Sequence, residues 1–210
     1  MDWAVLWLYR AALWDGLAIT IGVSVLGMIG STVLGVSIGC VGTLPSYLLR
    51  RLTDCYTETL RNLPLIVKLF FLYFIAGLPP FVSAVLALVL HQSAYIADVT
   101  RAGIRSVAGG QMDAALSLGH GYAQAFRYIV LPQMVRFILP TMTSQYVSVV
   151  RSSAVVALIA VPDLTFETQQ INVETFRGFE AATAATVLYM LVCSVVIGGM
   201  TLLQRHGALR

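Results

Sequence analysis

The chain has 210 residues, 58% of them hydrophobic and 11% charged, and its mean hydropathy is +0.83. A soluble domain of this size needs more polar surface, so composition points to a membrane protein. A formal net charge of +3 with scattered basic residues excludes a nucleic-acid binder, and three isolated cysteines (Cys40, Cys55 and Cys193) make neither a disulfide framework nor a metal-ligand spacing.

At the N-terminus, Asp2 stands where a signal peptide carries positive charge and no small-residue cleavage pattern follows, so no removable signal is expected. Trp3, Trp7 and Trp14 fall at near-helical spacing with Tyr9 and Arg10 between them. Such a stretch suits the membrane interface, where indole rings are favoured, but it also suits a frayed leader.

A bilayer crossing needs about 20 apolar residues as a helix. Five candidate spans follow: Gly16 to Leu44, Tyr56 to Gly77 (apolar mainly from Leu63), Phe81 to about Arg101, Gln133 to about Val161, and Ala181 to Leu203. Leu78-Pro79-Pro80 breaks the chain between the second and third. The expected fold class is an all-α membrane protein, with residues 1–210 forming one transmembrane domain. Long continuous apolar runs without period-two alternation make a β-barrel a poor alternative. The first span carries Gly27, Ser31, Gly35 and Gly39, each four apart, a narrow stripe that lets another helix approach closely. The GVSIG within it, residues 35 to 39, mimics a hydrolase nucleophile elbow but sits mid-helix without a base, so packing is the expected role.

Arg50, Arg51, Arg101, Arg105, Arg127, Arg136, Arg205 and Arg210 all fall on one face of a five-span arrangement, against Arg10 and Arg177 on the other. The positive-inside rule then places the N-terminus outside and the C-terminus in the cytoplasm, with a cytoplasmic loop at about 106–132 and an external loop at about 162–180.

The cytoplasmic loop contains DAALSLGHGYAQAFRYIVLP, residues 113 to 132. Asp113 precedes good helix formers, Gly119 and Gly121 end that helix, and Tyr122 to Val130 continues to Leu131-Pro132. The prediction is a short helix over 113–119, a glycine turn and a second helix, with Ala114 and Ala115 small enough for insertion into a partner's groove. An ordinary connecting loop has the same local chemistry.

Ionisable groups inside spans mark pathways or partners. Lys68 falls near mid-membrane in the second span, where it lines a path or pairs with Asp98 or Glu58. Asp98 and Arg101, three apart, can bridge on one helix face, and Tyr95 could line the cavity. Arg151 falls in the outer half of the fourth span, where it meets an anionic substrate group or pairs within a subunit interface. His91, His120 and His206 have no metal-ligand neighbours, and His120 in the glycine turn is expected to be exposed.

The spacing of D-A-A, three residues, Gly119, nine residues, Ile129, one residue and Leu131-Pro132 resembles the EAA loop of ABC importer permeases, with Asp for Glu. AYIADVTRAGIRSVAGGQ at 94–111 is similar to the stretch leading into that loop in polar amino-acid permeases. RNLPLIVKLFFLYF at 61–74 resembles their second-span motif, usually Arg-Gly-Thr-Pro-Leu. VVRSSAVVALIAVPDLT at 149–165 resembles their Lys-Asp-Thr-Ser-Leu region, and TFRGFE at 175–180 their lead into the last span.

The resemblance implies a type I importer permease of the histidine, glutamate, glutamine and arginine uptake type, in the bacterial inner membrane. It implies a dimer of like or related permeases, an external solute-binding protein, and ATPase subunits gripping Asp113, Ala114, Ala115 and Gly119. ATP and Mg belong to that ATPase. Lys68 is the only lysine and lacks a phosphate-cradling glycine context, so this chain is expected to be no enzyme, with no catalytic or metal residue and no cofactor of its own. Arg151, Ser152, Gln145, Tyr95 and Lys68 are the expected substrate path. Ser152 and Gln145 stand where relatives often carry acids, which favours an acidic or neutral polar amino acid such as glutamate over a dibasic one. Rival readings are an ion-coupled carrier or channel, for which no internal repeat is evident, and an intramembrane hydrolase, which lacks a nucleophile and base.

Overall fold

A computed structural model describes residues 3–208, without the side chains of residues 108, 109 and 206–208. Asp2, Arg210 and the side chain of His206 lie outside the described residues. The described chain is helical: α1 (Ala4–Leu8), α2 (Arg10–Val41), α3 (Tyr47–Asn62), α4 (Leu65–Phe70), α5 (Pro80–Ser117), α6 (Tyr122–Ala125), α7 (Leu131–Ser153), α8 (Leu164–Thr175) and α9 (Gly178–Ala208). π-Helical turns extend α4 over Phe71–Ile75 and join α6 to α7 over Phe126–Val130, and a 3-10 turn ends α7 over Ala154–Ile159. Among the described residues four stretches are long and apolar enough to cross a membrane: Arg10–Val41, Pro80–Val107, Tyr122–Ile159 and Gly178–Arg205.

The second expected span is therefore not one uniform apolar helix. Pro64 lacks an N–H and pushes Leu63 into extended backbone (φ −88, ψ 128), which ends α3. Beyond the break, the apolar Leu65–Ile75 is only about 16 Å long, against a hydrocarbon core of about 30 Å. Yet α3 and α4 together run antiparallel beside α5: Asp54 meets Arg101, Arg61 meets Asp98, and Lys68 meets His91. The third span also differs from expectation. It runs unbroken from Pro80 to Ser117, 38 residues or about 57 Å, so residues 113–117 are its last turns and not a separate helix. The fourth begins earlier than Gln133 and the fifth runs from Gly178, three residues before Ala181.

The expected break at Leu78-Pro79-Pro80 is present. Gly77 takes φ +66, and Pro80 opens α5, where its missing N–H costs no hydrogen bond.

The small-residue stripe of α2 faces α5. A Cβ on Gly35 would lie 2.7 Å from the Ser93 carbonyl oxygen and from Ile96 Cβ; one on Gly39 would lie 2.6 Å from Thr100 Cβ and 2.8 Å from the Ala97 carbonyl. These neighbours are backbone or backbone-anchored atoms and cannot swing aside. Ser37 points away and donates to the Val33 carbonyl at 2.7 Å, with no base beside it. Gly35→Ala is expected to destabilise the detergent-purified protein by about 1–3 kcal/mol through overpacking, while Gly22→Ala, whose Cβ meets nothing within 4 Å, leaves the melting temperature unchanged or slightly raised. Equal melting curves for the two variants would show that the α2–α5 approach is not tight.

The buried core follows this contact, with Val23 of α2, Leu69 of α4, Leu88 of α5 and Val149 of α7 in one cluster. A second cluster joins α1, α2, α8 and α9 through Val5, Leu17, Leu164 and Ala181. The N-terminal tryptophans remain largely outside it: Trp7 is 73% and Trp14 63% exposed. Arg10 stacks 4.7 Å over the Trp7 ring, and Tyr9 donates to Glu174 at 2.8 Å, tying α1 to α8.

Candidate functional site

Two sets of residues carry the functional argument: the elbow between α5 and α7, and the polar groups buried between α3, α4, α5 and α7.

At the elbow, the Gly119 N–H donates to the Leu116 carbonyl at 3.0 Å and the His120 N–H to the Ala115 carbonyl at 3.1 Å. This is the Schellman closure of a helix, and it puts Gly119 at φ +88, where glycine has no Cβ penalty. The Gly121 N–H then donates to Gln124 Oε1 at 3.3 Å, opening α6. His120 is exposed, and so are Leu118 at 81% and Tyr128 at 71%. Exposed apolar side chains on a turn at the end of membrane helices suit a protein partner.

The two alanines part company. Ala114 is exposed beside Asp113, but Ala115 is 2% exposed and packs with Met112, Ala125 and Val130. Ala115 thus holds the two arms of the elbow together and is not available for insertion into a partner. Ala115→Leu is expected to lower the protein's stability by about 1–3 kcal/mol, read as a drop in melting temperature, with Ala114→Leu unchanged. The reverse order would place the packed face on the other side of the helix.

Among the buried polar groups, Lys68 donates to the Leu60 carbonyl at 2.5 Å and to His91 Nδ1 at 2.8 Å. Because the ammonium has no acceptor, Nδ1 must be the unprotonated nitrogen. Lys68 therefore pairs with neither Asp98 nor Glu58. Asp98 is held instead by Arg61 and, at 3.8 Å, by Arg101, three residues on as expected. His91 lies edge-on to Tyr95 at 5.4 Å between ring centres, and the Arg61 guanidinium sits 5.2 Å from the Tyr95 ring. Tyr95 is half-buried among these groups.

Arg101, 7% exposed, donates to Asp54, to the Thr53 carbonyl at 3.1 Å and to Thr57 Oγ1 at 3.1 Å. Gly42 leaves room for this guanidinium, since a Cβ there would lie 3.0 Å from Arg101 Nε.

On another side of α5, the buried Gln92 donates its amide to Gln145 of α7. Gln92 was missed by the sequence reading, although a polar residue in an apolar run is itself the signal. Arg151 stands exposed near the end of α7 with no hydrogen bond or ion pair to another described residue, and Ser152 beside it is half-buried. The structure so brings Lys68 and Tyr95 to the same imidazole, that of His91, places Gln145 with Gln92, and leaves Arg151 and Ser152 at the helix end.

At that same end, Asp163 caps α8 by accepting from the Phe166 N–H at 2.9 Å. Burial pushes its carboxyl above the usual range, and hydrogen bonds from Phe166, Tyr189 and Thr165 pull it back. Glu167 is raised too, first by burial and then by the nearby charges of Asp15, Asp163 and Glu174.

A helical membrane domain with polar groups between its helices and an exposed elbow suits a transport subunit. Residues 31–206 match the family of binding-protein-dependent transport system inner membrane components, and the chain belongs to that family. It is thus a multi-pass inner-membrane subunit of a transport system that works with a binding protein. Over 98% of its length it is 29% identical to the glutamine transport system permease protein GlnP of Escherichia coli, of which it covers 97%. It is 32% identical to the glutamate/aspartate import permease protein GltJ of the same organism, over 94% of this chain and 87% of that one. Identity is again 32% to the probable glutamine ABC transporter permease protein GlnM of Bacillus subtilis, over 91% of each chain. A chain in the crystal structure of an amino acid ABC transporter with histidines superposes with a TM-score of 0.90 at 29% identity, covering 98% of this chain and 99% of that one. The MetNI methionine ABC transporter, at 18% identity and a TM-score of 0.76, shares the fold over 99% of both chains.

Proposed function

We propose that this chain is the permease subunit of an ATP-driven amino-acid importer, pairing with a second copy or a related permease so that substrate passes along their interface. Its relatives' substrates and the amino-acid transporter likeness support this class. The observation that carries the mechanism is the elbow: a Schellman turn at Gly119 with Leu118, Tyr122 and Tyr128 exposed around it. Asp113, Ala114 and Gly119 offer the surface that an ATPase subunit grips, and Ala115 keeps that surface rigid. ATP and Mg act in the ATPase. Its closure moves the elbow, and α5, continuous from Ser117 to Pro80, carries the movement through the membrane.

In this reading α3 and α4 jointly make the second of five crossings beside α5, the N-terminus and residues 162–180 face outside, and the binding protein delivers its amino acid there. The substrate path runs by Arg151, Ser152, Gln145, Tyr95 and Lys68. None of these five path residues is a carboxylate, and two, Arg151 and Lys68, are cations, so the path itself offers no anion to a dibasic side chain, which favours glutamine or glutamate over arginine.

Reconstitution into vesicles with the ATPase and binding protein tests this. Glutamine or glutamate uptake should require ATP, and the ATPase should co-purify with the wild-type chain. ATP-independent uptake would defeat the importer reading, and arginine as the best substrate would defeat the substrate assignment alone.

A further inference from the structure

We propose that a cleft at the elbow end of the helices binds the phosphate of an anionic phospholipid, held between Arg50 and Arg105. The cleft measures about 290 Å³ and lies between the end of α2, the start of α3, the end of α5 and α6. Its floor is apolar, from Ile104, Met112 and Phe126, while Arg50, Arg105 and the Tyr122 ring stand around it.

Several arginines of this chain already have partners within it. Arg61 and Arg101 are paired with carboxylates, and Arg10, Arg51 and Arg127 lie against aromatic rings. Arg50 and Arg105, both exposed, make no side-chain hydrogen bond or ion pair with any described residue, yet they line one cleft. Asp113 also lines it and offsets one of the two charges, which leaves the cleft cationic. Two arginines lining one space of this size suit a phosphate, which accepts several charge-assisted hydrogen bonds at once.

The surroundings favour a lipid as the source of that phosphate. The cleft is at the level where the apolar stretches of α2 and α5 end, at Val41 and Val107. One turn before Arg50 on α3, Tyr47 is 75% exposed, and the cleft's own floor is apolar. A lipid uses that apolar surface as well as the arginines, whereas a dissolved anion makes no use of it. Basic pockets between helices at the membrane surface take anionic headgroups in this way. The cleft shares Met112, Asp113, Tyr122 and Phe126 with the elbow but no residue of the substrate path, and Arg50 and Arg105 belong to neither, so lipid binding by these two arginines is read separately from transport.

The test uses the full chain purified in detergent, stripped of lipid and titrated with phosphatidylglycerol or phosphatidylcholine, with bound lipid counted by native mass spectrometry. Phosphatidylglycerol should bind in preference to phosphatidylcholine. The Arg50→Gln/Arg105→Gln double variant should bind it at least about tenfold more weakly. Arg136→Gln, an exposed α7 arginine outside the cleft, should bind as the wild type does, and helix content by circular dichroism should be equal in all three. Equal affinity of the double variant, or equal retention of the two lipids, overturns the proposal. Displacement of phosphatidylglycerol by millimolar inorganic phosphate, with the same arginine dependence, overturns the lipid source and assigns the cleft to a soluble anion.

Discussion

Gly119→Val is expected to reduce ATP-driven uptake by about tenfold or more while leaving the amount of protein in the membrane unchanged. Gly119 takes φ +88, a conformation that costs a side-chain-bearing residue about 1–2 kcal/mol and is worse for a β-branched one. Sterics with neighbours play no part, because a Cβ at Gly119 meets nothing within 4 Å. The strain is therefore relieved by reshaping the turn itself, at the expense of the two bonds that close it, from Gly119 to Leu116 and from His120 to Ala115. Leu118 and Tyr122, which flank the turn, then present a different surface. A docking equilibrium changes tenfold for each 1.4 kcal/mol or so, so the turn strain alone reaches that factor. Insertion should not suffer, since the turn is exposed and outside the apolar stretches. The measurement is uptake in vesicles, with ATPase co-purification as a second reading. Full uptake and full retention of the ATPase by Gly119→Val would remove the elbow from the mechanism. Gly119→Ala, with the smaller strain, should fall between.

How much of this was legible in the sequence depends on which residues carry the signal. The spans of α2, α5, α7 and α9 were readable because long apolar runs have few other uses. That some helix approaches α2 closely was readable from Gly27, Ser31, Gly35 and Gly39, small residues at every fourth position, but that the helix is α5 was not. The second expected span was legible only in part, because Pro64 divides it and because the α3 half is polar: Asp54, Thr57 and Arg61 face α5, where partners on that helix satisfy them. No run of hydropathy can show a carboxylate that is neutralised by a residue 47 positions away.

The length of α5 was hidden in a similar way. Gly109, Gly110 and the polar residues after them look like a helix end, but Ile104, Met112 and Ala115 keep a buried face at helical spacing and the helix continues. The elbow's turn was legible from its glycines, while the division of labour between Ala114 and Ala115 was not, because it depends on where Ala125 and Val130 return to pack. For Lys68, the expected acidic partners were reasonable by charge, yet the nearer acceptors are a carbonyl and an imidazole. An ammonium needs acceptors, and these need not be anions.

Arg101→Met is expected to be the most damaging single change on stability, lowering it by about 3 kcal/mol, toward the low end of what breaking a buried ion pair costs. Arg101 is 8% exposed at its side chain, while its partners Asp54 and Asp98 are 37% and 35% exposed, so water recovers part of the loss on the acidic side. The Thr53 carbonyl and the Thr57 hydroxyl, both buried and both bonded to the same guanidinium nitrogen, keep each other as partners at 3.1 Å but lose their tie to α5. These contacts join α3 to α5 between the elbow and Lys68, so their loss frees α3 to part from the helix that connects the two. Asp54→Asn should cost less, because Arg101 keeps Asp98 and both threonine contacts. The double variant Arg101→Met/Asp54→Leu should recover stability relative to Arg101→Met, since it removes the stranded carboxylate along with its partner. Thermal melting in detergent reads all three. The assignment fails if Arg101→Met melts with the wild type, and additive losses in the double variant would show that Asp54 and Arg101 act independently.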